Sequence, residues 1–213
     1  KLQQLIAGVI NRQTKCIHLD RYANAFYKDG SKESEWLKTD ITEMKPGIHE
    51  RKWEIDSLCY PIRLAHRYWK MTGDTTPFDA QWKEAIQLTV KTFKEQQRKD
   101  GDGPYTFQRT TFWATDGVPL SGYGYPVKPV GLICSIFRPS DDATIYPFLI
   151  PSNFFAVVSL EQAAEMVSKI TDRILPEIKE WQTRPLNPVY PFVFMDCIHY
   201  KVREDGRALL IKN

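Results

Sequence analysis

The 213-residue sequence has no apolar run of the roughly 18 residues that a membrane-crossing helix needs. It also lacks blocks of like charge, internal repeats and low-complexity tracts. Its four cysteines, Cys16, Cys59, Cys134 and Cys197, show neither CxxC spacing nor a nearby histidine cluster. That absence argues against a zinc site and leaves buried free thiols as the expectation. The 29 basic and 26 acidic residues are interspersed and leave a net charge of +3, so no nucleic-acid or membrane patch follows from charge. What is present is a 42% hydrophobic, 13% aromatic composition, enough to bury the core of one globular domain, or of one domain plus a fragment. The opening "KLQQLIAGVINRQ" reads as a helix rather than a signal peptide. With Lys1 in place of Met, the whole reads as a piece of something longer.

Apolar residues recur at helical spacing in residues 2–16 (Leu2, Leu5, Ile6, Val9, Ile10), 53–70 (Leu58, Cys59, Ile62, Ala65, Trp69) and 80–98 (Trp82, Ala85, Ile86, Val90, Phe93). A fourth helix is expected over 153–170, with Ser152 or Asn153 as N-cap and Phe154, Val157, Val158, Ala164 and Val167 as its buried stripe. The intervening segments 17–50 and 100–150 are rich in Gly, Pro and aromatics and too long for idle connections. "DGDGPYTFQR" at 100–109 predicts a turn into a short strand. "VPLSGYGYPVKPVG" at 118–131 is an aromatic, Gly-spaced loop of the kind that lines sugar subsites, or one merely stiffened by proline.

The stretch "FRPSDDATIYPF" sets Asp141 beside Asp142 among aromatics and prolines. Two readings are open. Ser140 caps a helix whose first turn carries both acids against the dipole, each contributing about 0.3–1 kcal/mol. Alternatively, a carboxyl held among apolar rings next to a second negative charge has its pKa raised and serves as a general acid.

Several stretches together, "LIAGVINRQTKCI", "YANAF", "HERKWEIDSLCYPIRLA", "YWKMTGDT" and "PVGLICSIFRPSDDATIYPFLIPSNFFAVVSL", resemble glycoside hydrolase family 125, the metal-independent exo-α-1,6-mannosidases. The resemblance implies a mainly α fold, here an incomplete (α/α)6 toroid, and an inverting hydrolysis of α-mannoside oligosaccharides that needs no cofactor. It makes one Asp of "RPSDDA" the general acid, placed here on Asp141, with Asp142 as the second candidate. It puts "HERKWEID" along the substrate site, so His49, Glu50, Arg51 and Asp56 are candidate sugar contacts, since hexose hydroxyls are held by carboxylates and Arg through paired hydrogen bonds. The structural alternative is that Glu50 and Arg51 brace the helix beginning near Trp53. Arg138 is expected to orient the acid or pair with it, and Trp113 and Tyr123 either stack on sugar or join the core. The family's general base, a Glu far C-terminal of this region, and its N-terminal "WLRDS"-type motif are not in the chain, which therefore resembles a central slice, residues 1–168, of such an enzyme. Arg21, where a proline commonly precedes "YANAF", departs from the family pattern.

Residues 169–213 resemble something else. "VFMDCIHYKVRE" and the preceding Pro-rich link are similar to Mutator-type insertion-sequence transposases, in which this segment opens an RNase H-like core. Val193, Phe194 and Met195 read as a short strand, and "REDGR" as a two-residue Asp-Gly turn of a β-hairpin. By that resemblance Asp196 is the first of three metal-binding acids, but one carboxylate does not make a two-metal site. The expectation is therefore a chimeric fragment with no bound metal, no nucleic-acid partner and no membrane association.

Overall fold

The computed structural model describes residues 1–183, 200–204 and 207–211, with side chains through residue 170. The chain divides into two compact units, Lys1–Arg173 and Ile174–Asn213. Among the described residues four helices dominate: α1 (Leu2–Leu19), α2 (Ile55–Thr72), α3 (Ala80–Glu95) and α4 (Ile150–Thr183), the last running through the division. None of them is long and apolar enough to cross a membrane.

The helix ends follow local chemistry. Asp79 caps α3 by accepting from Trp82 N at 2.9 Å. Gly73, at φ 68°, closes α2 with its N–H on Trp69 O. The long segments between helices carry short paired strands: β1 (Ala25–Phe26) with β3 (Ile48–Glu50), and β2 (Asp40–Ile41) with β4 (Gln108–Arg109), both antiparallel. The strand expected after the 100–104 turn is therefore β4. In the second pair Asp40 stands directly opposite Arg109, which makes a charge pair the unit that fixes register.

α1, α2 and α3 pack mutually and α4 adds to them, around two apolar clusters. One is built on Trp53, Tyr105, Phe107, Phe137 and Ile136, the other on Ile10, Ile62, Trp82 and Met166. Trp53 is fully buried, with its indole N–H on Cys134 O at 2.8 Å and its backbone N–H on the Tyr105 hydroxyl at 2.9 Å.

The stripes of α2 and α3 are those expected, whereas those of α1 and α4 are so only in part: Ile6 and Ile10 on α1 and Val167 on α4 pack inward. On α1 the buried residues are Ile10, Thr14 and Ile17, while Leu2, Leu5 and Val9 face out. On α4 the helix starts at Ile150, two residues before Ser152 and three before Asn153, the expected N-caps. Ser152, Asn153, Ala156, Ser159, Ala163 and Met166 form the buried face, while Phe154, Val157, Val158 and Ala164 are exposed. The spacing is helical in both readings; the inner face is made mostly of small side chains, with Met166 reaching into the second cluster. Asn153 is not a cap but a bridge, accepting from Ile133 N and donating to Ile133 O.

In the second unit β5 (Tyr200–Glu204) and β6 (Arg207–Ile211) pair antiparallel with Glu204 opposite Arg207, the register that a two-residue Asp-Gly connection dictates. The expected strand at 193–195, Asp196 and Cys197 lie outside the described residues.

Candidate active site

The segment 50–54 is extended and leads into α2, so its side chains alternate. Arg51 and Trp53 point into the core. Arg51 Nε donates to Asp20 Oδ2 at 2.7 Å, Nη1 donates to Thr42 Oγ1, and the guanidinium lies over Tyr22 and Tyr105. Tyr105 in turn donates to Arg51 O at 2.7 Å, which locks the segment against the aromatic block. Glu50, Lys52 and Glu54 project to the other side.

There a closed network of charge forms. Arg109 holds Asp40 through two bonds of 2.6 and 2.8 Å, Glu50 at 2.9 Å and Asp116 at 3.1 Å. Lys52 Nζ reaches Asp116 at 2.9 Å and Glu50 at 3.3 Å, and donates to the backbone oxygen of Asp141 at 3.0 Å. Against the effect of burial, the bonds from Lys52 and Arg109 hold the Asp116 carboxyl below the usual carboxylate range.

The helix expected after Ser140 does not form. Residues 137–143 make a tight hairpin closed by an antiparallel bridge between Phe137 and Ala143, with Arg138 N donating to Asp142 O and Asp141 N to Arg138 O, both at 2.9 Å. Pro139 and the buried Phe137 ring fix the turn, and Asp141 takes φ 65°, a left-handed conformation that Asp tolerates better than most residues. This geometry separates the two acids. The Asp141 carboxyl accepts from Asn24 Nδ2 at 2.9 Å and faces Glu54; that of Asp142 accepts from Ser140 Oγ at 2.9 Å on the outer surface. Asn24 also accepts from Lys52 N at 3.0 Å, so it ties the hairpin to the extended segment.

The structure thus brings together Asp141, Glu54 and Asp56, with Lys52 and Glu50 alongside. Burial first, then the charges of Asp56 and Asp141, push the Glu54 carboxyl up to about 8, and burial also raises Asp56. The other sequence-derived candidates point elsewhere. His49 bonds Glu35 at 3.0 Å and packs on Tyr27. Arg138 donates to Thr144 Oγ1 and Tyr146 O and makes no bond to either Asp side chain. The 118–131 loop presses onto β4's lead-in, where a Cβ on Gly122 would stand 2.9 Å from Phe107 N. With Trp113, Thr144 and Ile145, its residues Val118, Pro119 and Tyr125 line a cavity of about 550 Å³ next to the hairpin, while Tyr123 accepts through its carbonyl from Arg98. No three His, Cys, Asp or Glu among the described residues are placed to hold a metal ion.

Asn24, Lys52 and Glu54 escaped the sequence reading. All three lie inside "YANAF" or "HERKWEID", and the period-two alternation of the latter separates Glu50, Lys52 and Glu54 from Arg51 once the stretch is taken as extended.

Comparison with known proteins places these motifs in one family. Residues 1–190 match the model of glycoside hydrolase family 125, metal-independent alpha-mannosidase, and the chain belongs to that family. A solved structure of a Streptococcus pneumoniae metal-independent alpha mannosidase, in a non-productive substrate complex with alpha-1,6-mannobiose, is 38% identical and superposes with a TM-score of 0.76 over 80% of this chain and 39% of that one. The meiotically up-regulated gene 157 protein of Schizosaccharomyces pombe is 32% identical over 181 residues, 78% of this chain and 36% of that protein. The chain therefore spans well under half the length of these relatives. A short portion also matches bacterial transposases: that of the insertion element ISRM3 of Rhizobium meliloti is 40% identical over 47 residues, 22% of this chain and 12% of the transposase.

Proposed function

We propose that the chain is a central fragment of an inverting exo-α-1,6-mannosidase acting on mannan or N-glycan oligosaccharides, with Asp141 as its general acid. The observation that carries this reading is convergence: Asn24 of "YANAF" bonds the carboxyl of Asp141 of "RPSDDA" and Lys52 of "HERKWEID" bonds its backbone oxygen, so three separate motifs of the family meet at one residue. The mannobiose in the streptococcal relative supports the substrate class. Asp142, bonded to Ser140 on the surface, is assigned no part in proton transfer. Asp56 and Glu50 stand on the acid's side as sugar contacts. His49 is a peripheral contact, and Arg51 and Arg138 shape the walls.

An inverting glycosidase needs two carboxyl groups about 6.5–9.5 Å apart, with water between the base and the sugar. Glu54 meets Asp141 directly and leaves no room for that water, so it does not serve as the base. The chain alone is accordingly proposed to bind mannobiose weakly and not to turn it over. A purified chain assayed with α-1,6-mannobiose checks both halves. Turnover abolished by Asp141→Asn would overturn the inactivity while supporting the acid.

Residues 169–213 are proposed to be a transposase-like tail joined to mannosidase residues 1–168 of an incomplete (α/α)6 toroid. The β5–β6 hairpin and the transposase matches support the tail, and the division after Arg173 supports a junction near there, although the family match continues to residue 190. A DNA-joining function has little behind it, since Mg²⁺ is held usefully by several carboxylates or by a carboxylate with phosphates. Calorimetric Mg²⁺ titration of the chain and its Asp196→Ala variant should give the same result. Tight binding lost in the variant would favour the transposase reading.

A further inference from the structure

Glu54 is 7% exposed, and its surroundings are wrong for a carboxylate. Oε2 accepts from Ser57 Oγ at 3.2 Å, but Oε1 is buried and has no donor. The charged groups facing it are Asp56, from the first turn of α2, and Asp141, from the 137–143 hairpin, both negative. Lys52, two residues before it in the chain, is committed to Asp116, Glu50 and the Asp141 backbone. An ionised Glu54 would be an uncompensated buried charge, which costs far more than a buried neutral group. A proton on Glu54 satisfies it, and the acceptor that proton meets is the Asp141 carboxyl.

We propose that Glu54 stays protonated at neutral pH and donates its hydrogen bond to Asp141, acting as a positioning residue and proton reserve for the acid. The proposal rests on the assignment of Asp141 as proton donor and deepens it. Asp141 is fixed from three directions: Asn24 on Oδ1, Lys52 on its carbonyl oxygen, and Glu54 on the carboxyl from the buried side. In the step itself the Glu54 O–H bond breaks as an O–H bond on the Asp141 carboxylate forms, and that same proton passes on from Asp141 to the leaving glycosidic oxygen. The electron pairs left behind make both carboxyls anions, and the exposed Asp141 then recovers a proton from water and restores Glu54. Such an arrangement couples the acid's readiness to a group that sugar never touches.

Carboxyl ¹³C NMR titration of the full chain tests this without any need for turnover. The wild-type spectrum should contain one carboxyl signal, absent from Glu54→Gln, with a midpoint near pH 8. In Asp141→Asn, where one negative neighbour is gone from an exposed position, that midpoint should fall by about one pH unit or more. A Glu54 midpoint in the ordinary range of about 4–5, or one that Asp141→Asn leaves in place, overturns the proposal. Titrating the same samples with α-1,6-mannobiose separates the two ideas. Absence of sugar binding alongside a shifted, Asp141-dependent Glu54 would sink the mannosidase reading and leave the carboxyl pair standing.

Discussion

Lys52 holds Asp141 by its backbone rather than by its charge: Nζ donates to the carbonyl oxygen at 3.0 Å while the carboxyl turns away to Asn24. The ammonium therefore positions the hairpin without forming a salt bridge with the acid's carboxylate. Its charge is used instead on Asp116 and Glu50.

Replacing Lys52 by Met keeps the apolar stem but removes that bond and one of two cations in the network. Breaking a buried ion pair from one side costs about 3–5 kcal/mol, so Lys52→Met should lower unfolding free energy by about that much in a denaturant titration. Hydrogen exchange at the Arg138 and Asp141 amides should quicken beyond the global change, because the turn loses its tether.

Tyr105→Phe removes one hydroxyl that serves two buried backbone groups, accepting from Trp53 N and donating to Arg51 O. Each orphaned group costs about 1–3 kcal/mol, so the expected loss of unfolding free energy is about 2–6 kcal/mol. A variant within about 0.5 kcal/mol of the parent would mean that water or a backbone shift replaces the hydroxyl.

The raised Glu54 carboxyl makes stability depend on pH with a definite sign. The folded state keeps its proton up to about pH 8, while the unfolded chain releases it near 4.5. Unfolding free energy should therefore fall as pH rises through that window and level off above it, by an amount on the order of a few kcal/mol. Glu54→Gln should flatten the slope. Asp116 works in the opposite sense, its share being lost as pH falls below the usual carboxylate range.

The outward apolar side chains on α1 and α4 predict self-association. Leu2, Leu5, Phe154 and Val157 are all more than half exposed, and contiguous apolar faces of this kind drive aggregation or partner binding. Leu5→Lys combined with Phe154→Lys should raise the concentration at which light scattering appears without lowering the melting temperature. An unchanged threshold would remove these faces as its cause.

Helix positions were legible because a 3.6-residue period survives any tertiary context, and α2 and α3 bury the residues it marks. On α1 and α4 the period was right, but only some of the marked residues, Ile6, Ile10 and Val167, face the core. Large apolar side chains such as Leu5 and Phe154 mark the inner face only when every apolar face is covered within the chain. The acid pair was visible as a pair, but what distinguishes Asp141 from Asp142 is a left-handed backbone turn and a hydrogen bond from a residue 117 positions away. Arg51 looked like a sugar ligand because its residue type suits one, and only the alternation of an extended segment turns it towards Asp20 and Tyr105 and sends Lys52 and Glu54 to the opposite side, where they too are buried. Asn24 had no local signal, since its role exists only between segments.

The bonds that fix the carboxyl cluster share one property. Asn24 reaches Asp141 across 117 residues, Lys52 across 89, Trp53 reaches Cys134 across 81, and Tyr105 closes on Arg51 across 54. Each closes a long loop and pays its entropy before any local contact rewards it. Helical turns form within about a microsecond, but these closures come with the non-local, slow phase of folding. The site is therefore completed last. A refolding experiment that follows Trp53 fluorescence against helical circular dichroism should find helix gained first and the acid's surroundings assembled afterwards, as a distinct kinetic event.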